Sequence, residues 1–302
     1  MDVRSRAVGS MLGLALGDAA GAPFEFLRAS DVPNPVPLFR LPWRGSQPGS
    51  TTDATAMARN LSRSLVANRG FHRGDLVDRH LAWLATRPAV RGQVRQVLAR
   101  IADGQTDAAR AVWDERGPEV AAGNGSVMYC PPLGIAYANR PDALHDVAPT
   151  LSAVTHWDDR CGTAVTAVAL ATAALVRGED AEAAVHGVLI AVEDRPGGEE
   201  LEFLVDAVGG SRPVDGPDRT FCLFTAAVAL QAAIGARSFD ESMRGVVALG
   251  GDTGANGAVA GALVGAIEAR ENLPVEWLDR LVDRTAIEAE AEALSTLAEI
   301  ET

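Results

Sequence analysis

Carboxylates, hydroxyls and one histidine gather in five short segments: GDAAGAPFEF (17–26), STTDATAM (50–57), GNGSVMYCPPLG (123–134), THWDD (155–159) and GGDTGAN (250–256). Asp, Glu and Thr oxygens are the ligands that a hard divalent cation takes, and a glycine-rich turn at a helix start leaves backbone N–H groups free to hold a phosphate. Each segment is expected at a helix end or a glycine-rich turn, around a single cleft. Other chemistries find no support, since the chain has no GxSxG elbow, Walker A loop, HExxH or paired CxxC. HWDDRC (156–161) places His and Cys five apart where a helix begins, which reads as a capped helix start before it reads as a zinc site. Taken alone, His156 is a hydrogen-bonded structural histidine, and Phe24 and Trp157 are packing aromatics.

The elements that must position these residues are helical. Ala, Leu and Val recur at helical spacing over 5–20, 53–68, 73–86, 89–102, 106–115, 142–154, 160–177, 180–192, 220–234, 239–248, 255–270, 275–283 and 285–300, and no alternating strand is convincing. The expected fold class is all-α: one compact, orthogonal helical bundle over 1–302, with Ala-rich helices such as 163–176 at its centre. Gly13, Gly17 and Gly21 share a face of the first helix, which predicts close helix packing there. Two stretches interrupt the pattern. The Pro-rich loop 28–50 joins two segments with acidic residues at their facing ends and is long enough to be functional, whereas 209–218 reads as an ordinary connection. The acidic helix 285–300 reads as a solvated outer face.

Composition narrows the partners. Forty acidic residues stand against 27 basic ones, all arginine, for a net charge of −13. That balance opposes nonspecific binding to nucleic acid or anionic membranes, so an anionic ligand must be recognised locally. The three cysteines, Cys130, Cys161 and Cys222, read as buried free thiols in a reducing compartment. No stretch is expected to supply the roughly 18 charge-free apolar residues of a membrane helix, and the expectation is a cytoplasmic, soluble protein.

The five segments, in this order, resemble the motifs of the ADP-ribosylglycohydrolase family, also called the dinitrogenase reductase activating glycohydrolase family. The resemblance runs from Gly9 to about Arg270, leaving 275–300 as C-terminal helices. It implies an all-α fold with a binuclear magnesium centre that removes ADP-ribose from modified side chains. The family's GDxxGxxxE pattern is intact as Gly17, Asp18, Gly21 and Glu25. By that resemblance Glu25 is the catalytic residue, binding or activating the attacking water. Thr52, Asp53 and Asp252 are the metal ligands that remain. Gly123, Asn124, Gly125, Ser126 and Met128 are the loop that wraps the diphosphate and distal ribose, and His156 faces the ribose. Where the family has TDDT this chain has Thr52, Asp53, Ala54, Thr55, and where it has GGDTDT this chain has Gly250, Gly251, Asp252, Thr253, Gly254, Ala255. Ala54, Gly254 and Ala255 thus stand at ligand positions, and Tyr129 replaces a frequent arginine.

The substitutions imply at most one weakly held Mg²⁺, or none. The leading expectation is a protein that binds ADP-ribose or a related nucleotide and hydrolyses it poorly or not at all. An active hydrolase using one Mg²⁺ with Glu25-assisted water attack is the alternative, and a structural or interaction protein with a vestigial cleft is a further one. Whether Asp158 or Asp159 replaces a lost carboxylate is open at this level.

Overall fold

The structure, a computed structural model, describes residues 2–87 and 92–299. Its helices run in the order α1 (Val3–Gly21), α2 (Asp53–Asn68), α3 (Arg73–Ala85), α4 (Gly92–Ala102), α5 (Ala108–Arg116), α6 (Pro118–Ala121), α7 (Pro131–Ala136), α8 (Leu144–Ser152) and α9 (Asp159–Arg177). They continue with α10 (Ala181–Val192), α11 (Gly198–Ala207), α12 (Cys222–Ile234), α13 (Phe239–Ala248), α14 (Thr253–Glu268), α15 (Val275–Leu278) and α16 (Arg284–Ala298). Among the described residues two isolated bridges, Gly123 with Phe221 and Val208 with Arg212, are the whole of the β structure.

Glycine spacing builds the centre. Gly9, Gly13, Gly17 and Gly21 lie on one face of α1, and Thr253, Gly257, Gly261 and Gly265 lie on the facing side of α14, running the other way. A Cβ added to Gly13 would meet the Gly261 carbonyl oxygen at 2.1 Å, and one on Gly21 would meet the Thr253 oxygen at 1.9 Å. Backbones this close leave room for hydrogen alone, so the two helices interlock along four turns. Around them α2, α7, α9, α12 and α16 pack their small apolar faces, and every residue of α9 from Cys161 to Val176 is buried.

Several expectations are corrected. The helix α11 was not anticipated, because GEELEFLVDA has a short apolar stripe behind an acidic start. The helix expected over 275–283 stops at Leu278. Of the helix expected over 89–102, residues 89–91 lie outside the described residues, as does 300 at the end of the last helix. Two helices, Val3–Phe24 and Asp159–Arg177, are long and apolar enough to cross a membrane, though neither holds 18 consecutive residues free of charge, and 94% and 89% of their apolar windows are buried in the bundle. The acidic face of α16 is more than solvated: Glu290 accepts from Arg59 at 2.8 and 3.0 Å and from Arg63 at 3.0 Å, which ties α16 to α2.

Candidate functional site

Asp18 is the hub on which one wall is built. It is fully buried near the end of α1, and its carboxylate accepts four hydrogen bonds from the start of α2: Thr52 N (2.8 Å), Thr52 Oγ1 (2.7 Å), Thr55 N (3.1 Å) and Thr55 Oγ1 (2.5 Å). Burial pushes its pKa up to about 6, against the pull of these donors, so it remains ionised at neutral pH. Thr52 also caps α2 by accepting from Ala54 N. Its hydroxyl hydrogen is therefore given to Asp18, while Asp53, the next residue, stays only half-buried at the first turn of α2.

Glu25 follows α1 through a single turn of 3₁₀ helix, Ala22–Phe24. Two backbone bonds fix its neighbourhood to the GGDT turn, Phe26 N to Gly251 O (2.7 Å) and Gly251 N to Leu27 O (2.8 Å). Gly250 and Gly251 both have φ near +70°, and a Cβ on either would strike backbone atoms of Ala29 or Val214 within 2.6 Å, so the turn demands glycine twice. The Glu25 side chain lies in the space beside Gly254, where a Cβ would come within 2.5 Å of Glu25 Oε1. Loop 28–50 closes over it. Trp43 Nε1 donates to Glu25 Oε2 at 3.2 Å, and the Arg44 guanidinium approaches the same oxygen at 3.8 Å. Burial, with Asp252, Asp18 and Asp53 close by, pushes Glu25 up to about 8 despite the indole donor.

Asp252 caps α14, accepting from Ala255 N on Oδ1, while Oδ2 accepts from Asn124 Nδ2 at 2.9 Å. Asn124 in turn donates to Thr225 Oγ1 (3.0 Å), which donates to Asn256 Oδ1 (2.7 Å). The side chain of Asn124 thus joins the GNG loop to α12 and α14. Ser126 is buried against Ser152 Oγ (3.0 Å), Met128 is buried, and Gly123 pairs with Phe221 and accepts from Cys161 Sγ.

His156 is 2% exposed and sits under the same loop: a Cβ on Gly125 would fall 2.7 Å from its Cε1, and one on Gly123 would fall 3.6 Å from Nε2. Its Nδ1 pairs with Thr155 Oγ1 at 2.9 Å, and burial lowers its pKa to about 3, so the ring is neutral. Asp158 is engaged on both oxygens, by Trp113 Nε1 (3.0 Å) and by the backbone and guanidinium of Arg160, and it caps α9. Its carboxylate thus serves this clamp. Of the two aromatics near the motifs, Phe24 is buried and Trp157 is 47% exposed.

The geometry therefore brings Asp18, Glu25, Thr52, Asp53, Asn124 and Asp252 together, with α9, α12 and α14 beginning beside the GNG loop. Their N-terminal dipoles favour an anion there. Sequence reasoning placed Asp18 in its motif but missed its structural weight, and it missed the parts of Trp43, Arg44, Trp113 and Thr225, none of which carries a spacing signal. The donor set does not fit a two-metal centre. Ala54 and Ala255 present methyl groups at positions where the family pattern has ligands, and Glu25 fills the room a residue at 254 would need. Among the described residues no three His, Cys, Asp or Glu side chains are grouped to hold a metal ion.

This fold and these motifs define an ADP-ribosylglycohydrolase-type bundle. The chain belongs to the ADP-ribosylglycohydrolase family, whose profile matches residues 1–301. It is 28% identical over 312 residues to the ADP-ribosyl-[dinitrogen reductase] glycohydrolase of Rhodospirillum rubrum, covering 98% of this chain and 97% of that protein. It is 25% identical to the ADP-ribosylarginine hydrolase Tri1 of Pseudomonas putida (strain GB-1), covering 91% and 74%. A solved structure titled as an ADP-ribosylglycohydrolase-related protein complex superposes with a TM-score of 0.81 at 32% identity, covering 98% and 99% of the two chains.

Proposed function

We propose that this chain binds ADP-ribose, free or carried on a modified side chain, in the cleft between the GNG loop and the starts of α2 and α14, and that it hydrolyses the ribosyl bond poorly or not at all. The observation that carries this reading is the position of Glu25. Its carboxyl group fills the space over Gly254, where the family pattern has a carboxylate ligand, and Trp43 holds it there. A centre that retains one ion weakly, or none, is consistent with that arrangement, whereas the glycine-rich loop and the helix starts keep the means of holding a diphosphate.

A second reading, hydrolysis with Glu25 positioning the attacking water, is favoured by the intact GDxxGxxxE segment and by the half-buried Asp53 facing the same acidic neighbourhood. Against it stand the residues at 54, 254 and 255, where the family pattern has ligands and this chain has Ala, Gly and Ala. The experiment is a calorimetric titration of ADP-ribose into the purified protein, with Mg²⁺ and with chelator. Equal binding in both supports the binding reading. Binding that requires Mg²⁺ favours the hydrolase, and no binding in either overturns both.

A further inference from the structure

The acidic neighbourhood of Glu25 contains a positive charge that the family motifs do not account for. Four consecutive residues of loop 28–50 form a tight turn: Ser46 N donates to Trp43 O at 2.8 Å and Ser46 Oγ donates to the same carbonyl at 2.7 Å. Its two central residues are left-handed, Arg44 at φ +45° and Gly45 at φ +85°. A non-glycine residue in that region is uncommon, and the conformation of Arg44 serves an identifiable end. It directs the indole of Trp43 and the guanidinium of Arg44 to one oxygen of Glu25, with the guanidinium stacked 4.9 Å from the indole centroid.

The other carboxylates of the group find donors within the fold: Asp18 accepts four hydrogen bonds from the start of α2, and Asp252 accepts from Asn124 and from Ala255 N. Arg44 is the cation that approaches Glu25 itself.

We propose that Arg44 is a built-in cation seated at the Glu25 carboxyl group, held by the Trp43–Ser46 turn, and that it competes with divalent ions for that position. Trp43 is the positioning residue: its indole fixes Glu25 beside Gly254, and its ring face supports the guanidinium. Loss of the ligands at 54, 254 and 255 and the presence of this cation are then parts of one arrangement, in which a tethered monovalent charge stands where a hydrated divalent ion would have to bind. Arg44 remains 64% exposed at its side chain, so the strap can be displaced without unfolding the core.

The test is calorimetric titration of Mn²⁺ and of Mg²⁺, with no nucleotide present, into wild-type protein, Arg44→Gln and Arg40→Gln. Because ADP-ribose is absent, the result is independent of whether the cleft binds it. Arg40 lies on the same loop and is exposed, so its variant changes net charge equally without touching Glu25. The expected result is an increase of about tenfold or more in divalent-ion affinity for Arg44→Gln alone. Unchanged affinity in Arg44→Gln, including no measurable binding in either protein, overturns the proposal, and so does an equal gain in Arg40→Gln.

Discussion

Gly17 of α1 and Gly257 of α14 face each other backbone to backbone: a methyl on Gly17 would lie 1.9 Å from the Gly257 oxygen, and one on Gly257 would lie 2.4 Å from the Gly17 oxygen. Neither neighbour is a flexible side chain that could yield. Gly17→Ala should therefore separate the two central helices and cost at least about 3 kcal/mol, despite the better helix propensity of alanine. Urea denaturation measures it, and a variant as stable as wild type would show that the helices are not in this contact.

Asp18 makes a different demand. An amide can accept on one side only, so Asp18→Asn turns an NH₂ group toward donors of Thr52 or Thr55. A loss of about 2–4 kcal/mol is expected in the same assay, with weaker ADP-ribose binding as the start of α2 shifts. Undiminished stability would mean that the four hydrogen bonds do not form.

Stability should depend on pH in a predictable sense. Glu25, raised to about 8, holds a proton in the folded chain that the unfolded chain has lost above about pH 4.5, so its contribution falls as pH rises through that window. His80 and His156, lowered to about 3, stay neutral in the fold while the unfolded chain takes up protons below about pH 6.5, which weakens folding as pH falls. Between pH 8 and 6.5 Glu25 acts in the same sense as Asp18, Asp53 and Asp252, whose pKa values burial also raises, so stability should climb as pH is lowered, by up to about 1.4 kcal/mol per pH unit for each group that takes up its proton there, until the two histidines oppose it below pH 6.5. Glu25→Gln should flatten that slope. An unchanged slope would place the titration elsewhere.

Asn124 links the GNG loop to Asp252, so Asn124→Ala leaves a buried carboxylate short of one donor. ADP-ribose binding is expected to weaken by about 1–3 kcal/mol, read by calorimetry, with the loop rather than a lost ligand contact as the cause. A neutral result would separate the loop from the cleft.

Restoring the three substituted ligands, Ala54→Asp with Gly254→Asp and Ala255→Thr, should raise Mg²⁺ affinity, but only as far as Glu25 can vacate the space beside residue 254. Adding Trp43→Phe frees Glu25 and should enlarge the gain. If neither variant binds Mg²⁺ more tightly than wild type, the ion does not use this position.

The helical class and most element positions were legible because small apolar residues recur at helical spacing. α2 starts and ends at the predicted residues, since Thr52 is a capping residue and Arg69 adopts the left-handed conformation that stops a helix. The same logic shows why motif reading is ambiguous here: Thr52, Asp158 and Asp252 each have a side chain type that helix capping explains without any ligand. What could not be read was lateral placement. The contact of Trp43 with Glu25 spans a Pro-rich loop with no periodic pattern, and the bond from Asn124 to Asp252 joins residues from opposite halves of the chain. Likewise no spacing pattern relates Trp113 to Asp158, whose carboxylate its indole holds.

The interlocked glycines of α1 and α14 also bear on how the chain is made. Gly17 waits for a partner about 240 residues downstream, which at roughly 5–20 residues per second leaves the first helix unmatched for tens of seconds of synthesis. During that interval α1 can pack on α2, α7 and α9 but lacks the glycine-lined face of α14, and a chain truncated ahead of residue 253 never supplies that face.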